Sequence, residues 1–377
     1  MIRYLLSIFC ILVCTWSCTH KKAVKDDNTL QPDSVFIPEY AKGFSIEYHK
    51  GFKVVNINDP WGDPNKVETY YLAKSKERLP DITIVANSFI KTPVKKWVPF
   101  SSTMISHADR LNVLNTVTGV AEPEYISDPY IKRRVSTGQI RNVGMAMSPD
   151  IEVIYYLAPD FIMVSPFKDN HYATMRQGNI PIVTNGDYME HSPLGRAEWL
   201  ILVGAFFNKE QKAQLMFKGI EARYNELKEA MCNMEKQKSV FTGYLFQGIW
   251  DTPAGESYMA RFFNDAGANY IYAHTKGTGS LALDFETLYD KAATSDYWIL
   301  IVNYPGEFSY QALAEMDHRY KDFAAFKNRK VICTNASHSL YFEKGLLEPE
   351  VVLNDLIATL YPELFPDYEP VYFNRMQ

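Results

Sequence analysis

Residues 208–236, NKEQKAQLMFKGIEARYNELKEAMCNMEK, place apolar side chains at Ala213, Met216, Ile220, Tyr224, Leu227, Met231 and Met234. Steps of three and four put these on one stripe of a helix whose other faces are charged. Asn208 stands where an N-cap belongs, Gln211 where a capping-box partner belongs, and Glu210 suits the positive end of the helix dipole. At about 1.5 Å per residue such a helix spans roughly 40 Å, enough to cross from one lobe to another. Ahead of it the period changes. Phe44, Ile46 and Tyr48 alternate, His49, Lys50 and Gly51 can turn, and Phe52, Val54 and Ile57 follow, which predicts a hairpin. Residues 69–72 and 82–85 are further strand candidates. From about residue 99 short apolar runs alternate with helical stretches, at 113–114, 161–164, 180–183, 240–246, 297–302 and 331–333. Alternation of this kind predicts parallel α/β units.

The segments flanking the long helix echo one another. Residues 148–165 read SPDIEVIYYLAPDFIMVS and residues 283–303 read LDFETLYDKAATSDYWILIVN. In each, an acidic helix start carries Glu152 or Glu286, an apolar helix follows, and Asp160 or Asp296 leads into a buried strand. Placed on either side of one helix, the echo predicts two similar lobes joined by a rigid connector.

A chain of 377 residues with 47% hydrophobic and 14% aromatic residues can fill two cores. The net charge of −5, without a basic stripe, argues against nucleic acid as a partner. The 25 Tyr and 22 Phe exceed what a surface holds cheaply, so some are expected to line a site. At the N-terminus Arg3 precedes an apolar run that is too short to span a bilayer and has the flanks of an export signal. Ser17 before Cys18 resembles a lipoprotein cleavage box, which makes residues 1–17 a signal peptide and Cys18 the lipid-bearing residue. Cys10 and Cys14 then belong to the signal, and the remaining Cys232 and Cys333 make no disulfide framework. Residues 18–35 are polar and aperiodic, as a tether would be.

Residues 141–165, RNVGMAMSPDIEVIYYLAPDFIMVS, are similar to a stretch of the periplasmic substrate-binding proteins of ABC importers for ferric siderophores, haem and cobalamin. In that family a glycine loop precedes a P-x-x-E-x-I-x-x-L-x-P-D-x-I pattern. Residues 178–183 (GNIPIV), 259–269 (MARFFNDAGAN) and 351–366, closing on YPELFP, match in order and spacing. The resemblance implies an α/β fold of two Rossmann-like lobes with mostly parallel sheets, at 36–207 and 237–377, joined by one backbone helix. Residues 36–95 depart from it as an extra β-hairpin region. It implies an exported, membrane-anchored lipoprotein, not an enzyme, that needs no cofactor. Its cargo would be an iron chelate, with a corrinoid as alternative, delivered to an ABC permease dimer with its ATPase. In the resembled family a glutamate on each lobe pairs with permease arginines, and the match carries onto Glu152 and Glu286.

Recognition without turnover calls for aromatic walls and a few charged donors in a cleft. Open α/β sheets place ligand crevices beyond the carboxyl ends of their strands. That rule selects Phe167 and Lys168, Tyr188 and Arg196, Trp250 and Tyr258, and Tyr304. Trp250 and Tyr258 flank a turn-rich loop, residues 251–256, expected to present rings rather than bury them. No G-x-S-x-G, H-E-x-x-H, C-x-x-C or G-x-x-x-x-G-K-[ST] pattern occurs, so no motif argues for catalysis. His107, His171, His191 and His338 offer a bare Zn or Mn site as a competing reading, and an exported hydrolase on the same scaffold is another.

Overall fold

The computed structural model describes residues 31–63, 65–80, 87–167, 172–176, 178–232 and 237–377. The signal, Cys18, the strand expected at 82–85, Lys168, His171 and Met234 lie outside the described residues. The chain from Pro32 to Gln377 forms one compact unit.

It opens with a five-stranded sheet in sequential order, from β1 (Ser34–Phe36), β2 (Phe44–His49) and β3 (Phe52–Ile57) to β4 (Glu68–Ala73) and β5 (Phe89–Lys91). The expected hairpin is β2–β3: His49 faces Phe52, and Lys50 and Gly51 close the turn, with Gly51 at φ +96° where glycine alone is unstrained. Alternation puts Phe44 and Ile46 into the core. The region is thus a whole sheet, with β5 parallel to β4, rather than a hairpin. The tether also ends sooner than expected, because Val35 already pairs with Glu47.

The first lobe runs through β6 (Trp97–Pro99), α1 (Ser102–Arg110), β7 (Gly119–Val120), α2 (Pro129–Ser136) and β8 (Arg141–Asn142). It continues with the ribbon β9 (Gly144–Met145) and β10 (Ser148–Pro149), then α3 (Ile151–Leu157), β11 (Phe161–Val164), α4 (Ala173–Arg176) and β12 (Ile182–Thr184). All ladders in its main sheet are parallel, ordered β12-β11-β6, with a bridge from Trp97 to Val117 leading on to β7-β8. Strand order reverses between β6 and β11. The run at Val113 and Leu114 is no strand: the backbone tightens into a 3-10 turn there, Thr116 N–H donating to Val113 carbonyl.

Two antiparallel helices follow, α5 (Pro193–Phe206) and α6 (Glu210–Met231). Every residue of α5 is buried, as its apolar circumference requires. The connector helix is shorter at both ends than expected. Its 22 residues span about 33 Å. The sharp reversal out of α5 puts Asn208 at φ +54°, so it cannot cap; its side chain accepts from Lys53 Nζ at 2.9 Å, and no side chain caps the helix. Ala213, Phe217, Ile220, Tyr224 and Met231 form the buried stripe.

The second lobe comprises β13 (Lys238–Thr242), β14 (Leu245–Phe246), β15 (Ile249–Pro253), α7 (Tyr258–Asp265), β16 (Ala268–Tyr270), β17 (Ser280–Leu283), α8 (Phe285–Ala292) and β18 (Tyr297–Val302). Then come α9 (Tyr310–Met316), α10 (Ala324–Lys327), β19 (Val331–Asn335), α11 (Ala336–Ser339), α12 (Pro349–Leu360) and β20 (Asn374–Arg375). Its main sheet is ordered β16-β13-β18-β19-β20, parallel except for β20. The apolar run 240–246 is cut by Gly243 at φ +91°, where a Cβ would meet Asp251 carbonyl and the Trp250 indole. Beyond it β14, β15 and β17 form a separate antiparallel sheet.

The sequence echo has a structural counterpart. Asp150 and Asp284 cap α3 and α8 by accepting from Val153 N–H and Thr287 N–H. Asp160 accepts from Lys95 and Lys96 N–H at 2.7 and 3.0 Å, tying β11 to the start of β6. Asp296 does the same for β18 and β13, accepting from Ser239 N–H at 2.8 Å and its hydroxyl at 2.7 Å.

Two carboxylates fasten the N-terminal sheet to the first lobe. Glu198 on α5 accepts from Glu39, Tyr40 and Ala41 N–H at 3.0, 2.9 and 2.9 Å. Glu190 accepts from Lys42 and Gly43 N–H at 2.9 and 3.0 Å and from the Trp199 indole at 2.8 Å. Five consecutive backbone donors are thereby satisfied away from any strand.

Candidate functional site: the cleft between the lobes

The carboxyl ends of the two parallel sheets face each other, as the contacts between their loops establish. Beyond β12, Arg196 in the first turn of α5 sets its guanidinium 4.7 Å from the ring centre of Tyr258, the residue that opens α7 in the second lobe. Beyond β7, Ser127 N–H donates to the Glu343 carboxylate at 2.6 Å, which follows β19. Arg110, ending α1, pairs with Glu348. Crevices for ligands form at such ends, beside the point where strand order reverses.

Those same ends keep large apolar groups in water. Met145 and Met147 after β8 are 58% and 45% exposed, and Phe246 and Ile249 on the ribbon after β13 are 63% and 47%. Phe167 after β11 and Phe342 after β19 are also exposed. A soluble surface holds such a concentration of apolar side chains where something else covers them.

At the floor of the cleft lies a buried polar cluster. Arg196 is 5% exposed, and its guanidinium stands 3.6 Å from the Asp187 carboxylate. Burial works against its charge, but the oxygens of Tyr258, Asp187 and Tyr341 outweigh that and hold it firmly protonated. Its Nε has no partner, nor does Nε2 of the buried His107. Burial pulls His107 below the usual imidazole range against the opposing pull of Asp187, so it is neutral at physiological pH. The Tyr341 phenol is pushed up, chiefly by burial.

The residues expected at the site divide into three groups. Phe167 is on the cleft side, with its ring 6.1 Å from that of Tyr172. Tyr304 is half-buried after β18, edge-on to Phe308 at 5.1 Å, while its backbone exchanges hydrogen bonds with Asn335. Tyr188 is half-buried and donates its hydroxyl to Pro166 carbonyl at 2.7 Å, which braces the loop after β11. Arg196 and Tyr258, expected as donor and wall, are instead stacked on each other between the lobes. Trp250 is a correction. It has no exposed surface and stands among the rings of Phe241, Phe285, Trp298, Tyr320 and Phe323 at 5.7–6.3 Å, its Nε1 donating to Thr242 carbonyl at 3.0 Å. The loop expected at 251–256 is strand as far as Pro253 and turns only at Gly255 and Glu256, and β15 points the indole into the core.

Glu152 and Glu286 are both exposed, each two residues after its capping aspartate at the start of α3 or α8. Glu286 lies 3.5 Å from Arg319, which stacks on Phe285 at 4.0 Å. His338 Nε2 accepts from Gly306 N–H at 3.3 Å. Among the described residues, no three His, Cys, Asp or Glu side chains are grouped to hold a metal ion. Asp187 and Tyr341 escaped the sequence reading: Tyr341 meets Arg196 from the other lobe, and nothing local marks Asp187 as the carboxylate beside a guanidinium nine residues on.

A family model described as periplasmic binding protein matches residues 106–337. An uncharacterized lipoprotein of Methanocaldococcus jannaschii is 28% identical over 368 residues, covering 89% of this chain and 84% of that protein. Two solved structures share the fold. A periplasmic haem binding protein from Pseudomonas aeruginosa is 14% identical, with a TM-score of 0.58 over 75% of this chain and 98% of that one. The periplasmic vitamin B12 binding protein of Vibrio cholerae is 16% identical, with a TM-score of 0.54 over 72% of this chain and 99% of that one.

Proposed function

This chain belongs to the periplasmic binding protein family, and from that premise we propose that it is the exported, lipid-anchored binding component of an ABC importer, capturing an iron chelate between its lobes. The observation that carries this reading is the pair of opposed carboxyl ends with exposed apolar side chains on both, a wall suited to a bulky ligand held without turnover. Lipid attachment at Cys18 is supported by the cleavage-box sequence and by the lipoprotein relative. Glu152 and Glu286, at equivalent exposed positions on the two lobes, are proposed to orient docking on the permease subunits, a role in which rim charges set encounter rate and register more than ligand affinity.

Cobalamin is the second reading, and the state of Arg196 favours it. The cation expected to grip an anionic chelate is already neutralised by Asp187 and covered by Tyr258. A corrinoid presents much apolar and amide surface and asks less of such a donor. Protein purified from its own cells, examined by mass spectrometry and absorption spectroscopy, separates the two, because ferric chelates, haem and cobalamin absorb differently. Titration with haemin, a ferric tris-catecholate and cyanocobalamin supplies the affinities. Binding of none of the three would overturn the ligand assignment.

A further inference from the structure

The connector between β3 and β4 leans over the carboxyl ends of β11 and β12 and bounds two hollows of about 460 and 380 Å³. Both are lined by Ile57, Pro60, Val67 and Thr184, so they adjoin. The larger reaches Met189, His191 and Trp199; the smaller reaches Trp61, Pro166, Phe167 and Tyr172. Phe167 is the cleft-side ring already described. His191 lies on the rim of the larger hollow. The hollows therefore open at the edge of the interlobe cleft.

The charged groups of the smaller hollow are paired within the protein, whereas the larger also carries Lys42, whose ammonium has no side-chain partner among the described residues. Asp59 accepts from Trp61 and Asp63 N–H, Asp63 accepts from Asn65 N–H and lies 3.4 Å from Lys66, and Arg176 pairs with Glu68 at 2.6 Å. Glu190 is filled by its three N–H donors. What the smaller hollow offers beyond these pairs is apolar or uncharged, and Trp61 and Val67 remain 44% and 45% exposed at its mouth. The connector is held in place by its sheet, which is fastened by Glu190 and Glu198, by Lys53 pairing with Glu210 at 2.6 Å, and by Tyr70 donating to Ile182 carbonyl.

We propose that Trp61, Val67 and Phe167 form a subsite, contributed largely by the N-terminal sheet and opening onto the cleft, that takes an uncharged planar ring. The inference deepens the transport reading by adding a third wall to the two-lobed cleft, yet a ring compound alone tests it. Among the described tryptophans only Trp61 is exposed, the other four being 0–1%. The difference in acrylamide quenching between the full chain and its Trp61→Phe variant isolates that indole. Benzimidazole at about pH 8, where it is neutral, should shield Trp61 saturably, and Phe167→Ala should weaken half-saturation about tenfold. Benzoate, which carries a negative charge, should shield at least about tenfold less well. Absence of saturable shielding, indifference to Phe167→Ala, or equal shielding by benzoate would each overturn the subsite. Separate titrations with haemin, ferric tris-catecholate and cyanocobalamin keep the two readings apart. If one of them binds while benzimidazole does not shield, the subsite is wrong and transport stands. If benzimidazole shields and none of the three binds, the subsite stands and the cargo assignment falls.

Discussion

Replacing Trp250 with alanine should unfold the second lobe rather than empty a binding site. The indole has no exposed surface and lies within 6.3 Å of five other ring centres. Burying roughly 200 Å² of a tryptophan at about 25 cal/mol per Å² gives about 5 kcal/mol as an upper bound. Tryptophan-to-alanine changes in cores cost about 3–5 kcal/mol, which agrees. The lost indole donor adds little, because Thr242 carbonyl also accepts from the Thr252 hydroxyl at 3.1 Å. Trp250→Phe keeps most of the ring and should cost roughly half as much. Guanidinium unfolding read by near-ultraviolet circular dichroism measures both variants, with the midpoint falling at constant slope if the native packing alone has changed. Ligand titration of whatever fraction remains folded at low temperature should give the dissociation constant of the parent. A variant that keeps its midpoint within the equivalent of about 1 kcal/mol and loses ligand affinity would refute the core assignment and return Trp250 to the cleft.

Three further outcomes are expected. Glu152→Arg combined with Glu286→Arg should leave folding and ligand titration intact while transport in proteoliposomes collapses; normal transport, or lost ligand binding, would end the docking role. Burial pushes the Asp296 carboxyl up, but the Ser239 hydroxyl and N–H with Lys330 and Lys238 outweigh it and leave its pKa lowered. Its stabilising contribution is therefore present above the ordinary carboxylate range and lost as pH falls through the depressed value, so Asp296→Asn should flatten the decline in unfolding midpoint between about pH 5 and pH 3; an unchanged decline would show the tie between β13 and β18 to be neutral. A single helix of 22 residues resists bending, so small-angle scattering should give nearly the same radius of gyration with and without ligand, and marked compaction would contradict a stiff connector.

The architecture was legible because it rests on local period. The parallel strands at Phe161–Val164 and Tyr297–Val302 fall where the apolar runs placed them, and the stripe of α6 does so at Ala213, Ile220, Tyr224 and Met231, with Phe217 buried rather than Met216. Sorting the rings was not legible. Trp61 and Trp250 each sit beside turn residues, and only packing from Phe241, Trp298 and Phe323 buries one of them. The burial of Arg196 follows from Tyr258 and Asp187 closing on it, and Tyr258 comes from the other lobe. Glu198 and its three donors are separated by 157–159 positions, a distance at which sequence carries no pattern. Asn208 failed as a cap because the reversal out of α5 took precedence over its local preference.

Fastening the N-terminal sheet through main-chain N–H groups makes that junction indifferent to residue type on one side only. At the exposed positions 39 and 42 any residue but proline could stand without disturbing the grip of Glu190 and Glu198, whereas Ala41 is buried and Tyr40 packs on Phe217 and donates to Glu221. Position 43 is restricted as well, because a Cβ there would come within 2.3 Å of the Trp199 ring. The specification for carrying this sheet is therefore written almost wholly in the host lobe. Two glutamates and a tryptophan hold this strip mainly by its backbone, so the guest sheet beyond it and its connector, and with them the wall presented to the cargo, could be remodelled without redesigning the seam.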